Sequence, residues 1–275
     1  MKKICFILLF LVIASSCSTK EETEGYNMTS IEDPDEKNDI IEIAQAAVKD
    51  IQSMKSIMIV TQQFTGDSIN EETTMQIDNN LMFDPLSSSV HVSMTTLGQN
   101  VAYAMYSNED ATYFTENPNT ENEAWQRLPD TDHEEIIADY KSTTSFINYD
   151  LLLEHIDELI VNDVDDDIDD REYYELILNG DTNIYHELLT QDNLVDIAEE
   201  RASVDEFSLS VKLEKDTGHL IDFDTKMYGT VDFDGEVISL FETMTSSIEG
   251  INIFEDEDEY FLVPIGVERY IENNE

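Results

Sequence analysis

The spacing of apolar residues changes along the chain, and this change divides it into helical and strand-rich stretches. Between Asn38 and Lys55, apolar residues recur every three or four positions, which predicts an amphipathic helix capped by Asn38. From Met58 the period changes to two, as expected for strands with one buried face. Alternating runs separated by turn residues continue to Thr115, and they predict an antiparallel meander.

The middle of the chain returns to a helical pattern, and the last third alternates again. Hairpin turns are expected at Lys215–Gly218 and at Asp234-Gly235, between the strands of a second meander. Two meanders with a helical layer between them predict an α+β domain whose antiparallel sheet curls over the helices. The predicted elements of this region are helices from Asp130 to about Tyr140, from Asp150 to Ile160 and from Asp181 to Ala198, and strands at Tyr173–Leu178, Phe207–Leu213, Leu220–Tyr228, Glu236–Thr243 and Tyr260–Val263.

The first residues have the order of a bacterial secretory signal. Lysines precede the apolar run Ile4–Ile13, and this run leads through Ala14-Ser15-Ser16 to Cys17. Small residues before a cysteine form a lipobox, in which the thiol receives a diacylglyceryl group before the signal is removed. The pattern predicts a signal peptide over 1–16 and a lipoprotein anchored to the cell membrane through Cys17, on the extracytoplasmic face.

The alternative for this segment is an uncleaved membrane anchor. A spanning helix needs roughly 20 apolar residues, which is more than this run offers. The cysteine content agrees with the lipobox, because Cys5 would be lost with the signal and Cys17 would carry the lipid. The processed protein would then contain no disulfide and no cysteine-based metal site.

Composition separates a linker from the folded part. Residues 17–37 are polar and acidic, which predicts a disordered tether that lifts the protein off the membrane. The remaining residues, 38–275, are numerous enough to form a single domain that is stabilised by its own core.

The charge of the chain is strongly negative. There are 62 Asp and Glu residues against 14 Lys and Arg, for a formal net charge of -48. This charge excludes nucleic acid as a partner, because nucleic acid binding needs a basic surface, and it disfavours docking on anionic lipid headgroups. Because like charges repel, we expect the stability of the protein to rise with salt.

The acidic runs and the histidines match no site of known chemistry. The run Asp163–Asp170 lacks the glycine and the closing glutamate of a calcium-binding loop, so a solvated loop is the expectation. His133 and His186 each precede a glutamate, but no second histidine follows four residues later, as a zinc-protease helix requires. We therefore expect no catalytic residue, no metal site, no cofactor and no enzymatic activity.

Several weak features together resemble a known family. The chain resembles the uncharacterised lipoproteins of Gram-positive bacteria that are grouped as a domain of unknown function, related in fold to bacterial lipoprotein-carrier and mycobacterial lipid-carrier proteins. This resemblance implies a half-open β-barrel with helices packed in its mouth and an acyl chain or lipoprotein tail bound inside. The features are the lipobox and acidic tether, the helix Ile40–Met54, the methionine-bearing strands, Ala111–Phe114, Trp125–Pro129, Asp216–Gly218 and Val263-Pro264.

The strands of the first meander supply the candidates for a ligand cavity. Methionine is unbranched and adapts to varied apolar partners, so inward-facing methionines suit an apolar binding site. Ordinary core packing is the alternative for all of these residues, and Trp125 is expected to bury against the helices rather than against a ligand. The candidate lining residues are Met58, Met75, Val90, Val92, Met94 and Met105.

Two functions remain open from the sequence. The first is a membrane-anchored, non-enzymatic protein that binds or carries an apolar or lipid-like molecule. The alternative is a structural or protein-interaction module of the cell envelope without a ligand cavity. A binding protein needs a continuous apolar pocket, whereas a docking module needs only an exposed apolar patch.

Overall fold

The structure is a computed structural model, and it describes most of the chain after the predicted signal. Cys17, the predicted signal peptide and the first part of the predicted tether lie outside the described residues. The described residues are 26–67, 69–116, 118–120, 124–142, 147–166, 171–180, 183–184, 202–233, 236–254 and 261.

Strands dominate the fold, as the period of two predicts, and three helices accompany them in the described residues. The helices are α1 (Pro34–Val48), α2 (Asp130–Ser142) and α3 (Tyr149–Glu154). The strands are β1 (Tyr26–Ile31), β2 (Ser53–Thr65), β3 (Asn70–Phe83), β4 (Leu86–Thr96), β5 (Gln99–Asn108), β6 (Thr112–Glu116), β7 (Ala124–Arg127), β8 (Ile160–Asp166), β9 (Arg171–Gly180), β10 (Ala202–Glu214), β11 (Leu220–Phe233) and β12 (Glu236–Ile251).

All the strands join one 12-stranded antiparallel sheet, in the order β1-β8-β9-β10-β11-β12-β2-β3-β4-β5-β6-β7. The last strand, β12, returns to pair with β2, with Met244 opposite Val60, so the two predicted meanders form a single sheet. Among the described strands, β1 and β7 are the two edges and do not pair with each other, so the sheet stays open.

The main hydrophobic core lies on one face of this sheet, which we call the inner face. Leu176, Val211 and other side chains of β8–β12 pack there against Ile41 of α1 and Leu152 of α3, and all four named side chains are fully buried. Each such burial stabilises the fold by about 1.5–3 kcal/mol. The predicted α+β class, with an open antiparallel sheet and helices packed on it, is confirmed.

A second, smaller cluster covers part of the outer face. Ala104 and Tyr106 alternate with Met105 along β5, so their side chains lie on the face opposite to Met105. They pack with Trp125 and Phe261, and the Tyr106 hydroxyl donates a hydrogen bond to the Phe261 carbonyl. Trp125 is therefore buried, but the expectation that it packs on the helices is wrong, because its strand position turns it outward.

The first helix begins and ends earlier than predicted. Asp33 is its N-cap and accepts a hydrogen bond from the Asp35 amide, while Pro34 occupies the first turn, where proline's fixed φ suits a helix. The helix ends at Val48, and β2 already includes Lys55. Asp33, and not the predicted Asn38, therefore occupies the N-cap position. After residue 50, the chain pairs as a strand although its apolar spacing is helical.

The predicted tether is too long at its C-terminal end. Residues Tyr26–Ile31 form β1, which pairs with β8, and α1 starts before residue 38. Backbone hydrogen bonds and the burial of Ile31 order a segment whose composition alone favours disorder. The folded part therefore includes residues 26–37, which the sequence had assigned to the tether.

The helix expected from Asp150 to Ile160 is also shorter. Asn148 caps α3 by accepting a hydrogen bond from the Leu151 amide, and α3 ends at Glu154. Ile160 begins β8, which pairs with both β1 and β9, and this pairing also places the acidic residues 163–166 on a strand. The helix predicted from Asp181 lies outside the described residues, apart from Asn183 and Ile184.

Candidate functional site

The strand register brings the six predicted lining residues onto the inner face. In an antiparallel sheet, directly paired residues point to the same side, so each row of paired residues shares a face. Three adjacent rows cross from β12 to β5, and they contain all six candidates. These rows are Met244, Val60, Met75, Met94 and Val101; Ser246, Met58, Ile77, Val92 and Tyr103; and Ile248, Ser56, Asn79, Val90 and Met105.

The part of these rows on β3–β5 forms an apolar strip that is only partly covered. Val92 is 4% exposed, whereas the other strip side chains are half-buried, and Val101 at the border is exposed. In the part of the chain that the structure describes, these side chains belong to neither hydrophobic cluster, unlike Met58, which packs against the main core. The apolar strip consists of Met75, Ile77, Val90, Val92, Met94, Tyr103 and Met105.

Small polar residues and α2 close one end of the strip. Ser107 and Thr112 are buried on the inner face, and the Thr112 hydroxyl lies 3.0 Å from Ser107 Oγ. The same hydroxyl lies 3.0 Å from His133 Nδ1, which belongs to α2. This contact holds α2 against the sheet at the end of the strip where Val90 and Met105 lie.

A polar row crosses the inner face at the other end of the strip. Glu242 lies opposite Gln62, and Gln62 lies opposite Thr73, whose hydroxyl lies 3.1 Å from Thr96 Oγ1. The Gln62 side-chain amide donates a 2.9 Å hydrogen bond to Glu242 Oε2. We call these four residues the polar row; it borders the row of Met244, Val60, Met75 and Met94.

Burial perturbs the acid in this row. Glu242 is 9% exposed and Gln62 is 3% exposed, so their hydrogen bond is shielded from water. Burial raises the pKa of the Glu242 carboxyl above its ordinary value, and the hydrogen bond from Gln62 only partly opposes this. A buried carboxyl in an apolar wall is a recurrent feature of functional sites.

The polar row is not among the site residues predicted from the sequence. Glu242 stands between Leu240 and Met244 in the alternation of β12, so its position alone indicates an inward-facing acid. Gln62 stands likewise between Val60 and Phe64 on β2. A polar residue at an apolar position of an alternating strand was the available signal.

Three further polar atoms on the inner face of the sheet are buried without a partner among the described residues. They are the Ser246 hydroxyl, beside Met58, Asn79 Oδ1, beside Val90, and the Ser88 hydroxyl, beside Ser107. A buried polar atom costs free energy unless something hydrogen-bonds it, so these atoms add to the polar capacity of this face.

The acidic residues of β8 have a structural partner. Lys215 Nζ lies 2.6 Å from Asp163 Oδ1 and 2.7 Å from Asp165 Oδ1, with Glu172 Oε2 at 3.6 Å. Lys215 and Glu172 border a groove of about 630 Å³ that also includes Arg171, Asp216, His219 and Leu220. The groove is lined largely by charged side chains and contains none of the six predicted lining residues.

Across residues 26–254, leaving aside the gaps named above, no group of His, Cys, Asp and Glu side chains could hold a metal ion. The helices described in the structure are each too short or too polar to cross a bilayer.

The comparisons with known proteins identify the family. The sequence profile of DUF6612, a family of unknown function, matches residues 36–257. The chain belongs to the DUF6612 family. The prediction that it belongs to an uncharacterised family is thereby confirmed, and no curated protein matches the DUF6612 chain.

Several solved structures are similar to this DUF6612 chain. Lipoprotein LppX of Mycobacterium tuberculosis has 12% identity and a TM-score of 0.41, over 82% of this chain and 99% of its own. LprF of Mycobacterium bovis has 9% identity and a TM-score of 0.43, over 85% and 98%. A putative outer membrane lipoprotein-sorting protein domain of Vibrio parahaemolyticus has 12% identity and a TM-score of 0.24, over 82% and 97%.

Proposed function

We propose that the protein is a non-enzymatic, membrane-anchored lipoprotein that holds an apolar or lipid-like molecule against the apolar strip. The observation that carries this proposal is the partial exposure of the strip on the inner face, beside a core that buries its other apolar residues. The partly exposed apolar side chains of the strip favour an occupant, because each Å² of apolar surface removed from water stabilises the complex by about 25 cal/mol.

The polar residues at both ends support the same proposal. Thr112 and His133 bound the strip on one side, and Glu242 and Gln62 bound it on the other. Apolar walls with a few placed polar groups are the usual composition of small-molecule sites. The six residues predicted from sequence are proposed as part of this wall, together with Ile77 and Tyr103.

Membrane attachment is the second part of the proposal. Cys17 would carry a diacylglyceryl group, and its two acyl chains give stable anchoring where a single chain does not. Cys17→Ser is expected to release the protein from the membrane fraction or to leave an uncleaved precursor. Membrane retention of a processed Cys17→Ser protein would contradict the anchor.

The test of ligand binding fills the strip. Met94→Trp adds volume on the inner face of β4, and Ile59→Trp is the matched control on the outer face of β2, where Ile59 is 42% exposed. We expect the wild type to take up a fluorescent fatty-acid analogue, Met94→Trp to lose at least about tenfold in affinity while remaining folded, and Ile59→Trp to bind normally.

The alternative function, an interaction module, predicts a different result. If the strip is simply closely packed, Met94→Trp should cost about 1–3 kcal/mol of stability through overpacking. That loss, together with no uptake of the analogue by the wild type, would contradict the binding proposal. The edge strand β1, with Met28 54% exposed, is the surface that then becomes the candidate for docking another protein.

A further inference from the structure

We propose that Glu242 and Gln62 bind the head group of the ligand, and that this head group is uncharged and donates hydrogen bonds, as the hydroxyls of a neutral glycerolipid do. The inference rests on the proposed function, since it presumes that an apolar chain occupies the strip.

The pair has unused hydrogen-bonding capacity. Within the described residues, the hydrogen bond from Gln62 Nε2 to Glu242 Oε2 is the side-chain hydrogen bond of both groups. Oε1 of Glu242 and Oε1 of Gln62 therefore remain as acceptors without a donor among these residues. A ligand that brings hydroxyl or amide donors can hydrogen-bond these oxygens, so it gains more than a ligand without donors.

The pair has apolar surroundings. On β12, the inner-face neighbours of Glu242 are Leu240 and Met244, and on β11 it lies opposite Met227. On β2, Gln62 stands between Val60 and Phe64. No charged side chain occupies these positions, so the carboxyl has no cation to receive an anionic ligand.

The charge around the pair disfavours an anionic head group. An acyl chain with an ionised carboxylate or phosphate would place an anion beside the Glu242 carboxyl, in a chain whose formal net charge is -48. Both the local and the overall field therefore disfavour anionic heads. A neutral head avoids this repulsion and still supplies the donors.

The pair lies in the row that borders the strip. The polar row is followed by the row of Met75 and Met94, and the strip ends at Val90 and Met105. At about 3.3 Å per residue, Met94 and Val90 are about 13 Å apart along β4. Gln62 lies directly opposite Thr73 of β3, one strand from the strip, and Glu242 lies one strand further, on β12. A head group that reaches Gln62 thus places an extended chain beside the strip.

The experiment compares ligands that share one acyl chain. The processed chain, residues 17–275 with Cys17→Ser, is loaded with N-phenyl-1-naphthylamine, and displacement is measured with monooleoylglycerol, methyl oleate and oleate. We expect monooleoylglycerol to bind about tenfold more tightly than methyl oleate, since its hydroxyls add hydrogen bonds to the pair. Oleate is expected to bind more weakly than monooleoylglycerol.

The variant Glu242→Leu should bring the monooleoylglycerol-to-methyl-oleate ratio to about one, with methyl oleate affinity kept or increased. Glu72→Leu, on the outer side of β3 where Glu72 is exposed, is the matched control and should keep the wild-type ratio. Should Glu242→Leu not fold, Gln62→Met reports on the same pair and should lower the ratio about threefold.

The outcomes separate this inference from the proposed function. If no lipid displaces the probe from the wild type, both are overturned. If monooleoylglycerol and methyl oleate bind equally, or if the variants leave their ratio unchanged, the apolar site stands and the head-group assignment is wrong. Tighter binding of oleate than of monooleoylglycerol would also overturn the assignment.

Discussion

Lys215 links carboxylates of two neighbouring strands, and its replacement tests how so acidic a chain is stabilised. Its ammonium lies 2.6 Å from Asp163 Oδ1, 2.7 Å from Asp165 Oδ1 and 3.6 Å from Glu172 Oε2. Burial lowers the pKa of Lys215, but hydrogen bonds to Asp163 and Asp165 outweigh burial and raise that pKa above the ordinary 10.5. The contact therefore connects the end of β10 to β8 and β9.

The variant Lys215→Met keeps an unbranched apolar side chain that is one atom shorter, and it removes the charge. A hydrogen bond to a charged group contributes about 1.5–3 kcal/mol when buried, and an exposed ion pair about 0.2–1 kcal/mol. The Lys215 side chain is 14% exposed, while those of Asp163 and Asp165 are 39% and 46% exposed. Because solvent screens the carboxylates, we expect the contacts with Asp163 and Asp165 each to contribute about 1 kcal/mol to stability. Lys215→Met should therefore lower the free energy of unfolding by about 2 kcal/mol.

Urea unfolding at neutral pH and low salt measures this loss. Asp163→Asn should lose about 1 kcal/mol, and a double-mutant cycle with Lys215→Met should give a coupling of about 1 kcal/mol. The control Asp67→Asn, at an exposed turn position, should be neutral or stabilising, because it only removes repulsion. Since the pKa of Lys215 is raised in the folded state, the contribution persists below pH 10.5 and is lost as pH rises through the folded-state pKa.

If charge repulsion alone acted at Asp163, Asp163→Asn would raise the stability of the protein instead of lowering it. If Asp163→Asn stabilises the protein as much as Asp67→Asn does, or if the coupling with Lys215 is zero, the assigned role of Lys215 is refuted.

Three further changes test the core, a close backbone approach and the buried acid, each by urea unfolding. Leu176→Ala, at a fully buried inner-face position, should cost about 2–5 kcal/mol; a loss under about 1 kcal/mol would contradict its place in the core. Gly229→Ala would place a Cβ 2.1 Å from the Ser203 carbonyl oxygen, and it should lower the free energy of unfolding by about 2–3 kcal/mol. Gly98→Ala, at φ +70 with open space around it, should lower it by about 1–2 kcal/mol. Equal losses for the two variants would argue against the clash at Gly229. Glu242 has a raised pKa in the folded state, so its burial costs more as pH rises, and Glu242→Gln should stabilise more at pH 8 than at pH 4; an unchanged pH profile would contradict this.

Much of the strand pattern was predictable because strand alternation is a local property. Residues such as Met75, Val92 and Met94 alternate with polar residues, and the period of two by itself assigns them to one face of a strand. Turns such as Lys215–Gly218 likewise depend on a few consecutive residues, and Gly218 has the positive φ that favours glycine. The family resemblance also came from sequence features, and the DUF6612 match confirmed it.

Element boundaries failed where distant partners decide them. Residues 26–31 look like a polar linker, yet they pair with β8, which lies more than a hundred residues later in the chain. Residues 156–160 continue a helical spacing, yet Ile160 pairs with Ile177 of β9. No local pattern contains the hydrogen bonds that a strand makes with a partner far along the chain.

The sequence by itself determined the excess of acidic residues and the alternation of the strands, which places the candidate methionines on one face of their strands, and it predicted a secretory signal with Cys17. Those properties depend on composition and on spacing within short segments. Only the tertiary structure decided that β12 pairs with β2, which brings Glu242 beside Gln62, and that Lys215 meets Asp163 and Asp165. Such contacts depend on strand order and register, which are fixed when the whole sheet assembles and buries its inner face.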